Sequence, residues 1–79
     1  MKVYGTDLCP DCVEAKKKLK EEHISYDYVD ITASIQNLKA FMRLRDSNEV
    51  FDEARESGFI GIPTFVKDDG AIVFSVDAL

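Results

Sequence analysis

Hydrophobic positions follow two rhythms along this chain, one of strands and one of helices. Val3 and Tyr4 sit in a short segment from Lys2 to Thr6 that reads as a strand. The turn-prone stretch Gly5-Thr6-Asp7-Leu8 follows where that pattern stops. From Pro10 to about Glu22 the spacing becomes helical. Cys12, Ala15 and Leu19 share one face, while Lys16, Lys17, Lys18, Lys20, Glu21 and Glu22 cover the rest. Pro10 suits the first turn, where its missing N–H would be unpaired anyway. From Ser25 to Ile31, Tyr26 and Tyr28 alternate against Asp27 and Val29 and predict a second strand. Thr32 and Ser34 can each cap a helix, and Ile35, Leu38, Phe41, Met42 and Arg45 continue at helical spacing. Asp46-Ser47-Asn48 offers another cap before Val50, Phe51 and Ala54, which predict a short extra helix closed by Gly58. Thr64 to Lys67 reads as a strand, Asp68-Asp69-Gly70 as a hairpin turn, and Ala71 to Val76 as its return.

The order β-α-β-α(α)-β-β predicts an α/β fold with a four-stranded mixed sheet and helices on both faces. A helix between the first two strands makes them parallel through a right-handed crossover, and the final hairpin adds two antiparallel strands. At 79 residues the chain is one domain, 1–79, with one modest core. Its 46% hydrophobic content suits a packed interior rather than a disordered tail. Acidic residues outnumber basic ones by 15 to 10, which argues against a nucleic-acid partner because phosphate binding needs a basic face. No apolar run approaches the ~18 residues of a membrane span, and Met1-Lys2-Val3-Tyr4 opens a strand rather than a signal peptide. No membrane partner is expected.

Two cysteines are too few for a disulfide-dense secreted scaffold, yet they stand together as Cys9-Pro10-Asp11-Cys12. The first thiol falls at a loop-to-helix junction and the second one turn inside the helix. A helix start offers unpaired N–H groups and about half a positive charge. Thiols so placed commonly titrate between ~3.5 and ~7.5 rather than near ~8.5. Cys9 is therefore the expected exposed nucleophile, and Cys12, on the buried face, is expected to attack a mixed disulfide at Cys9. Asp11 works against the thiolate and implies a more reducing couple, with Lys16 one turn beyond Cys12 as a partial offset. No metal site is expected. A metal needs about four ligands, and besides the cysteines the chain has only His23, at the far end of the same helix.

Val3-Tyr4, the Cys9-Pro10-Asp11-Cys12 pair, Tyr28-Val29-Asp30-Ile31 and Gly61-Ile62-Pro63-Thr64-Phe65-Val66 together resemble glutaredoxins and glutaredoxin-like redoxins, over nearly the whole chain. The resemblance implies a thioredoxin-like fold in which the Ile62–Pro63 bond is cis and Pro63 faces the cysteines. It also implies that the Ile62 backbone pairs with an extended thiol peptide. Thr6, Ile62, Pro63 and Asp77 are the implied contacts for glutathione or such a peptide, with Pro10 and Asp11 as neighbours of the reacting thiols. Thr6 stands where many glutaredoxins have a lysine. Of the family's two glycines and acidic pair after the last strand, Phe74-Ser75-Val76-Asp77-Ala78 keeps only Asp77. Lys39, Arg43 and Arg45 either reach the glycine carboxylate of glutathione or form a solvated helix face. The chain stops at Leu79, so the family's last helix is expected to be truncated or absent. That predicts uncovered apolar surface between the first helix and the last hairpin, with a second copy or another partner over it.

These readings converge on a small cytoplasmic thiol–disulfide oxidoreductase, an enzyme of electron transport and cell redox homeostasis. Its substrates would be disulfides of proteins or of low-molecular-weight thiols, and its electrons would come from glutathione or a flavoprotein reductase. No tightly bound cofactor is expected, with glutathione as a candidate co-substrate. One alternative is an iron–sulfur carrier holding a two-iron, two-sulfur cluster between Cys9 of two chains and two glutathione thiols, although Pro10 and Cys12 speak against it. Another is a non-catalytic binding module that keeps the fold.

Overall fold

A computed structural model describes residues 1–79. Strand β1 (Lys2–Gly5) leads through a loop into helix α1 (Pro10–Glu21), and strand β2 (Asp27–Asp30) follows. Helix α2 (Ile35–Asp46), a 3-10 turn (Glu49–Phe51) and helix α3 (Asp52–Ser57) complete the middle of the chain. Strands β3 (Thr64–Val66) and β4 (Ile72–Val73) and a closing 3-10 turn (Val76–Ala78) end it. The sheet order is β2-β1-β3-β4, with β1 parallel to β2 and antiparallel to β3, and β3 antiparallel to β4. This is the small thioredoxin-like α/β fold that the order of elements predicts. No helix is long and apolar enough to cross a membrane.

Local chemistry sets the boundaries. Ser34, not Thr32, caps α2: its hydroxyl accepts the Asn37 N–H at 3.1 Å. Asn48 donates to the Leu44 carbonyl at 2.8 Å instead of capping the next turn. Gly58 ends α3 with φ 79, a left-handed geometry that costs glycine little. The strands are shorter than the apolar runs suggest. Ser25, Tyr26 and Ile31 lie outside β2, and β4 keeps only Ile72 and Val73 of the run from Ala71 to Val76.

Alternation along β1 splits the core into two layers. Val3, fully buried, packs with Phe65 beneath Ala15 and Leu19 of α1. Tyr4 turns to the other face, where it meets Ile31, Phe41 and Phe51. Phe51 stands edge-on to Phe41 at 6.0 Å and to Phe74 at 5.2 Å. Each fully buried Leu or Phe of this kind contributes about 1.5–3 kcal/mol. Helices therefore cover both faces, α1 on one and α2 with the 3-10 turn on the other.

Beside α1, β4 breaks off early and the closing turn lays Val76 onto the α1 layer, 9% exposed, yet Ala15 and Lys18 of α1 still share an open, largely apolar cavity with Phe74, Ser75 and Val76. Val13 of α1 (47%) and Phe74 after β4 (40%) are among the large exposed apolar side chains. Leu8 (83%), Phe59 (66%), Ile60 (57%) and Val50 (51%) rim the cavity described below. Ile35, Leu38 and Met42 lie along α2.

Candidate active site

Cys9 is the N-cap of α1, held in an extended conformation (φ −102, ψ 119). Its carbonyl accepts the N–H groups of Cys12 and Val13, both at 3.1 Å, and its own N–H donates to the Thr6 carbonyl at 3.1 Å. Pro10 occupies the first helical position, as the sequence predicts. One turn on, Cys12 is fully buried, whereas Cys9 is only partly covered. Both thiols are free.

The loop before Cys9 is fixed by a directed chain of polar groups. Thr32 donates its single hydroxyl proton to the Asp30 carboxylate at 2.6 Å, an acceptor only, and its N–H donates there too at 2.8 Å. The 2.9 Å contact between the Thr6 and Thr32 hydroxyls must then run from Thr6 to Thr32. Thr6 Oγ1 in turn accepts the Leu8 N–H at 3.2 Å. These donors hold the Asp30 carboxyl below the usual carboxylate range. The hydroxyl of Thr6, one of the residues implied in thiol-peptide binding, is thus committed to holding the loop.

Burial pushes the Cys12 thiol up to about 11, its hydrogen bond with Cys9 and the charges of Cys9 and Asp11 adding to the effect, while a backbone hydrogen bond from Thr6 opposes it. Lys16 is engaged elsewhere: its ammonium pairs with Asp7 at 3.0 Å and lies 4.3 Å above the Tyr28 ring. The Tyr28 hydroxyl is buried with no partner. It and Cys12 Sγ border the same space at Gly5, where an added Cβ would lie 2.9 Å from each, and no hydrogen bond joins them in the dithiol.

On the open side, Cys9 faces a cavity of about 980 Å³ that Thr6, Asp11, Ile62 and Pro63 also line. The Ile62–Pro63 peptide bond is cis, as the resemblance implies. The Ile62 N–H and carbonyl have no partner within the chain, which leaves them free to pair with an extended ligand backbone. Thr64 donates its hydroxyl to the Gly61 carbonyl and steadies the preceding turn. Asp77 lies in the closing turn and does not line the cavity, whereas its neighbours Ser75 and Val76 do. Lys39 and Arg43 do not line it either. Arg45 donates to the Phe59 carbonyl at 2.7 Å and so braces the loop below the rim. His23 stands just past the end of α1 with φ 56, and no group of three or more His, Cys, Asp or Glu side chains is placed to hold a metal ion.

Tyr28, Gly5, Leu8, Phe59 and Ile60 border the site without belonging to the cysteine motif in the sequence. Alternation from Tyr26 to Val29 places Tyr28 on one strand face, and the loop from Gly58 to Pro63 carries Phe59, Ile60 and Ile62 with no polar side chain, which is the visible signal there.

A parallel β-α-β unit with a dithiol at the start of its helix, sharing a cavity with a cis proline, places the protein in the thioredoxin-like class with a thiol–disulfide redox role. The glutaredoxin family model matches residues 1–69. The chain belongs to the glutaredoxin family. It is also 35% identical over 77 residues to an uncharacterised protein of Haemophilus influenzae, an alignment covering 98% of this chain and 90% of that relative. No solved structure matches the chain.

Proposed function

We propose that the protein reduces disulfides through a Cys9/Cys12 dithiol. The Cys9 thiolate attacks one sulfur of a substrate disulfide; a Cys9–substrate mixed disulfide forms and the first substrate thiolate leaves. Cys12, losing its proton, then attacks Cys9 Sγ. The Cys9–Cys12 bond forms, the second substrate thiolate leaves and takes up a proton, and two electrons have passed to the substrate. An external thiol system, glutathione or a flavoprotein reductase, returns two electrons and two protons to restore the dithiol. The cycle suits a reducing compartment such as the cytoplasm.

The supporting observation is the asymmetry of the pair: Cys9 partly open to the cavity at a helix start, Cys12 fully buried one turn deeper. Only one sulfur can meet an external disulfide, and the other can reach only the first. Formation of the mixed disulfide also removes the thiol hydrogen bond and the charge of Cys9, two of the influences that hold Cys12 protonated. Trapping tests this. Cys12→Ser, given a disulfide substrate, should accumulate a mixed disulfide at Cys9 by mass spectrometry, and Cys9→Ser should accumulate none. Adduct formation at Cys12 in Cys9→Ser, at the rate seen for Cys9, would overturn the assignment.

A further inference from the structure

The cavity beside Cys9 is apolar in its walls and acidic at its edge. Three carboxylates, Asp11, Glu14 and Glu53, line it against a single ammonium, Lys18. At neutral pH glutathione carries two carboxylates and one ammonium, so this edge repels it. The apolar rim also continues into a second furrow walled by Phe59 and Ile60, which Ile35, Leu38 and Met42 of α2 extend and which Arg45, its one charged residue, also lines. Resting on the dithiol reading, we propose that the site takes its disulfide from a cationic polypeptide segment with apolar residues beside the cysteine, and that glutathione is a poor substrate. The segment lies extended along Ile62, its apolar side chains on Phe59 and Ile60 and its lysines or arginines near Glu14 and Glu53.

The test uses two synthetic peptide disulfides that share the same apolar residues, one flanked by lysines and the other by glutamates. Glutathione disulfide and the uncharged hydroxyethyl disulfide complete the set. Oxidation of the dithiol is followed by stopped flow. At low salt the lysine peptide should react about tenfold or more faster than the glutamate peptide or glutathione disulfide. Salt near 1 M should shrink that ratio to about two as charges are screened. Glu14→Gln with Glu53→Gln should shrink it at low salt as well. Equal rates for the lysine peptide, the glutamate peptide and glutathione disulfide, with hydroxyethyl disulfide reduced normally, overturn the substrate inference alone. Failure to reduce any of the four overturns the dithiol reading itself.

A different observation concerns the buried side of the pair. The Tyr28 hydroxyl has no hydrogen-bond partner, yet it and Cys12 Sγ are each 2.9 Å from the point where a Gly5 Cβ would stand. We infer that Tyr28 is a hydrogen-bond donor to the Cys12 thiolate while Cys12 attacks the mixed disulfide. The charged and titratable groups around the two are Cys9, Asp11 and Lys16 of α1, Asp7 of the loop, and Tyr26 and Asp30 of β2. Burial and the neighbouring charges hold Tyr28 protonated well above its ordinary range, so it donates rather than acting as a base. The Cys12 proton ends on the departing substrate thiolate.

Tyr28→Phe removes only the hydroxyl and keeps the ring beneath Lys16 and beside Tyr26. The resolving step is measured from a preformed Cys9 mixed disulfide across pH, and Cys9 attack is measured in a Cys12→Ala background. The hydroxyl's loss should slow resolution about tenfold at neutral pH and move its profile upward by about one pH unit, with Cys9 attack within twofold of its normal rate. An unmoved resolution profile, or equal slowing of both steps, overturns the inference.

Discussion

The Cys12 thiol and the Tyr28 hydroxyl border the same space, the one that Gly5 leaves empty. A Cβ at Gly5 would stand 2.9 Å from the thiol sulfur, 2.9 Å from the phenol oxygen and 3.3 Å from Cys12 Cβ. The first two separations are shorter than real Cβ contacts, and the thiol is fully buried, so Cys12 cannot simply swing into solvent. Glycine is required here for close approach, not for an unusual backbone angle. The residue that admits the resolving thiol therefore lies on β1, outside the cysteine motif.

Gly5→Ala should accordingly act as an overpacking substitution. The expected destabilisation is about 1–3 kcal/mol, read as a lower denaturant midpoint at unchanged slope. The resolving step should slow more than Cys9 attack, because it is Cys12 and not Cys9 that the methyl displaces. A variant with the normal midpoint and normal resolution would show that the β1–α1 spacing relaxes freely.

The chain of donors from Leu8 through Thr6 and Thr32 to Asp30 makes a second prediction. Thr6→Val keeps the shape of a buried side chain but strands the Leu8 N–H and breaks the link to Thr32. The cost should be about 1–2 kcal/mol, with faster amide exchange from Thr6 to Cys9. Acid should act at the other end. The folded Asp30 carboxyl titrates below its unfolded value, so its contribution is present above the unfolded value near 3.8 and lost as pH falls through the folded one. Asp30→Asn should remove that part of the acid dependence. Identical acid-unfolding curves for Asp30→Asn and the unaltered protein would remove Asp30 from the argument.

Much of this geometry was legible in the sequence because it is local. Pro10 and Cys12 mark a helix start and its buried face by spacing alone, and the alternation through Val3 and Tyr4 implies two core layers. The cis bond before Pro63 was legible only through resemblance to a family. What sequence left open depends on register and on chain reversal. Pairing of Val3 with Tyr28 sends Tyr28 under α1, and a single strand's alternation cannot say which helix lies on which face. The run from Ala71 to Val76 reads as one strand, yet Val76 is better buried against α1 than kept in the ladder, and the chain turns after Val73. The resemblance places Asp77 at the site only by its position after the last strand, and that same turn keeps it out of the cavity lining.

Burial raises the Cys12 thiol to about 11, and the Asp11 charge contributes. Resolution requires the thiolate, so its rate should climb with pH through the neutral range. Asp11→Asn should move the profile to lower pH and quicken resolution severalfold at neutral pH. A profile that does not move would mean that solvent screens the Asp11 carboxylate from the buried sulfur. The sign for stability is opposite: the folded thiol keeps its proton where the unfolded one, near 9, has lost it. Stability should therefore fall as pH rises from about 9 to about 11, and Cys12→Ala should lack that fall.

Phe51 ties the second core layer to the loop that presents Pro63. Its ring contacts Phe41 and Phe74 edge-on, and a Cβ on Gly61 would come within 3.1 Å of Phe51 Cδ1. Gly61 also sits at φ 97, so the loop backbone lies on the ring in a conformation open to glycine alone. Phe51→Ala should cost about 3–5 kcal/mol through the cavity it leaves. Phe51→Leu should cost less but still free the Gly61–Ile62–Pro63 segment from its support. For Phe51→Leu, kcat/KM for a peptide disulfide should fall mainly through KM, with the reaction of Cys9 toward a small alkylating agent unchanged. If alkylation slows in parallel with peptide turnover, the substitution has disturbed the helix start as well, and the loop is not the element that Phe51 serves.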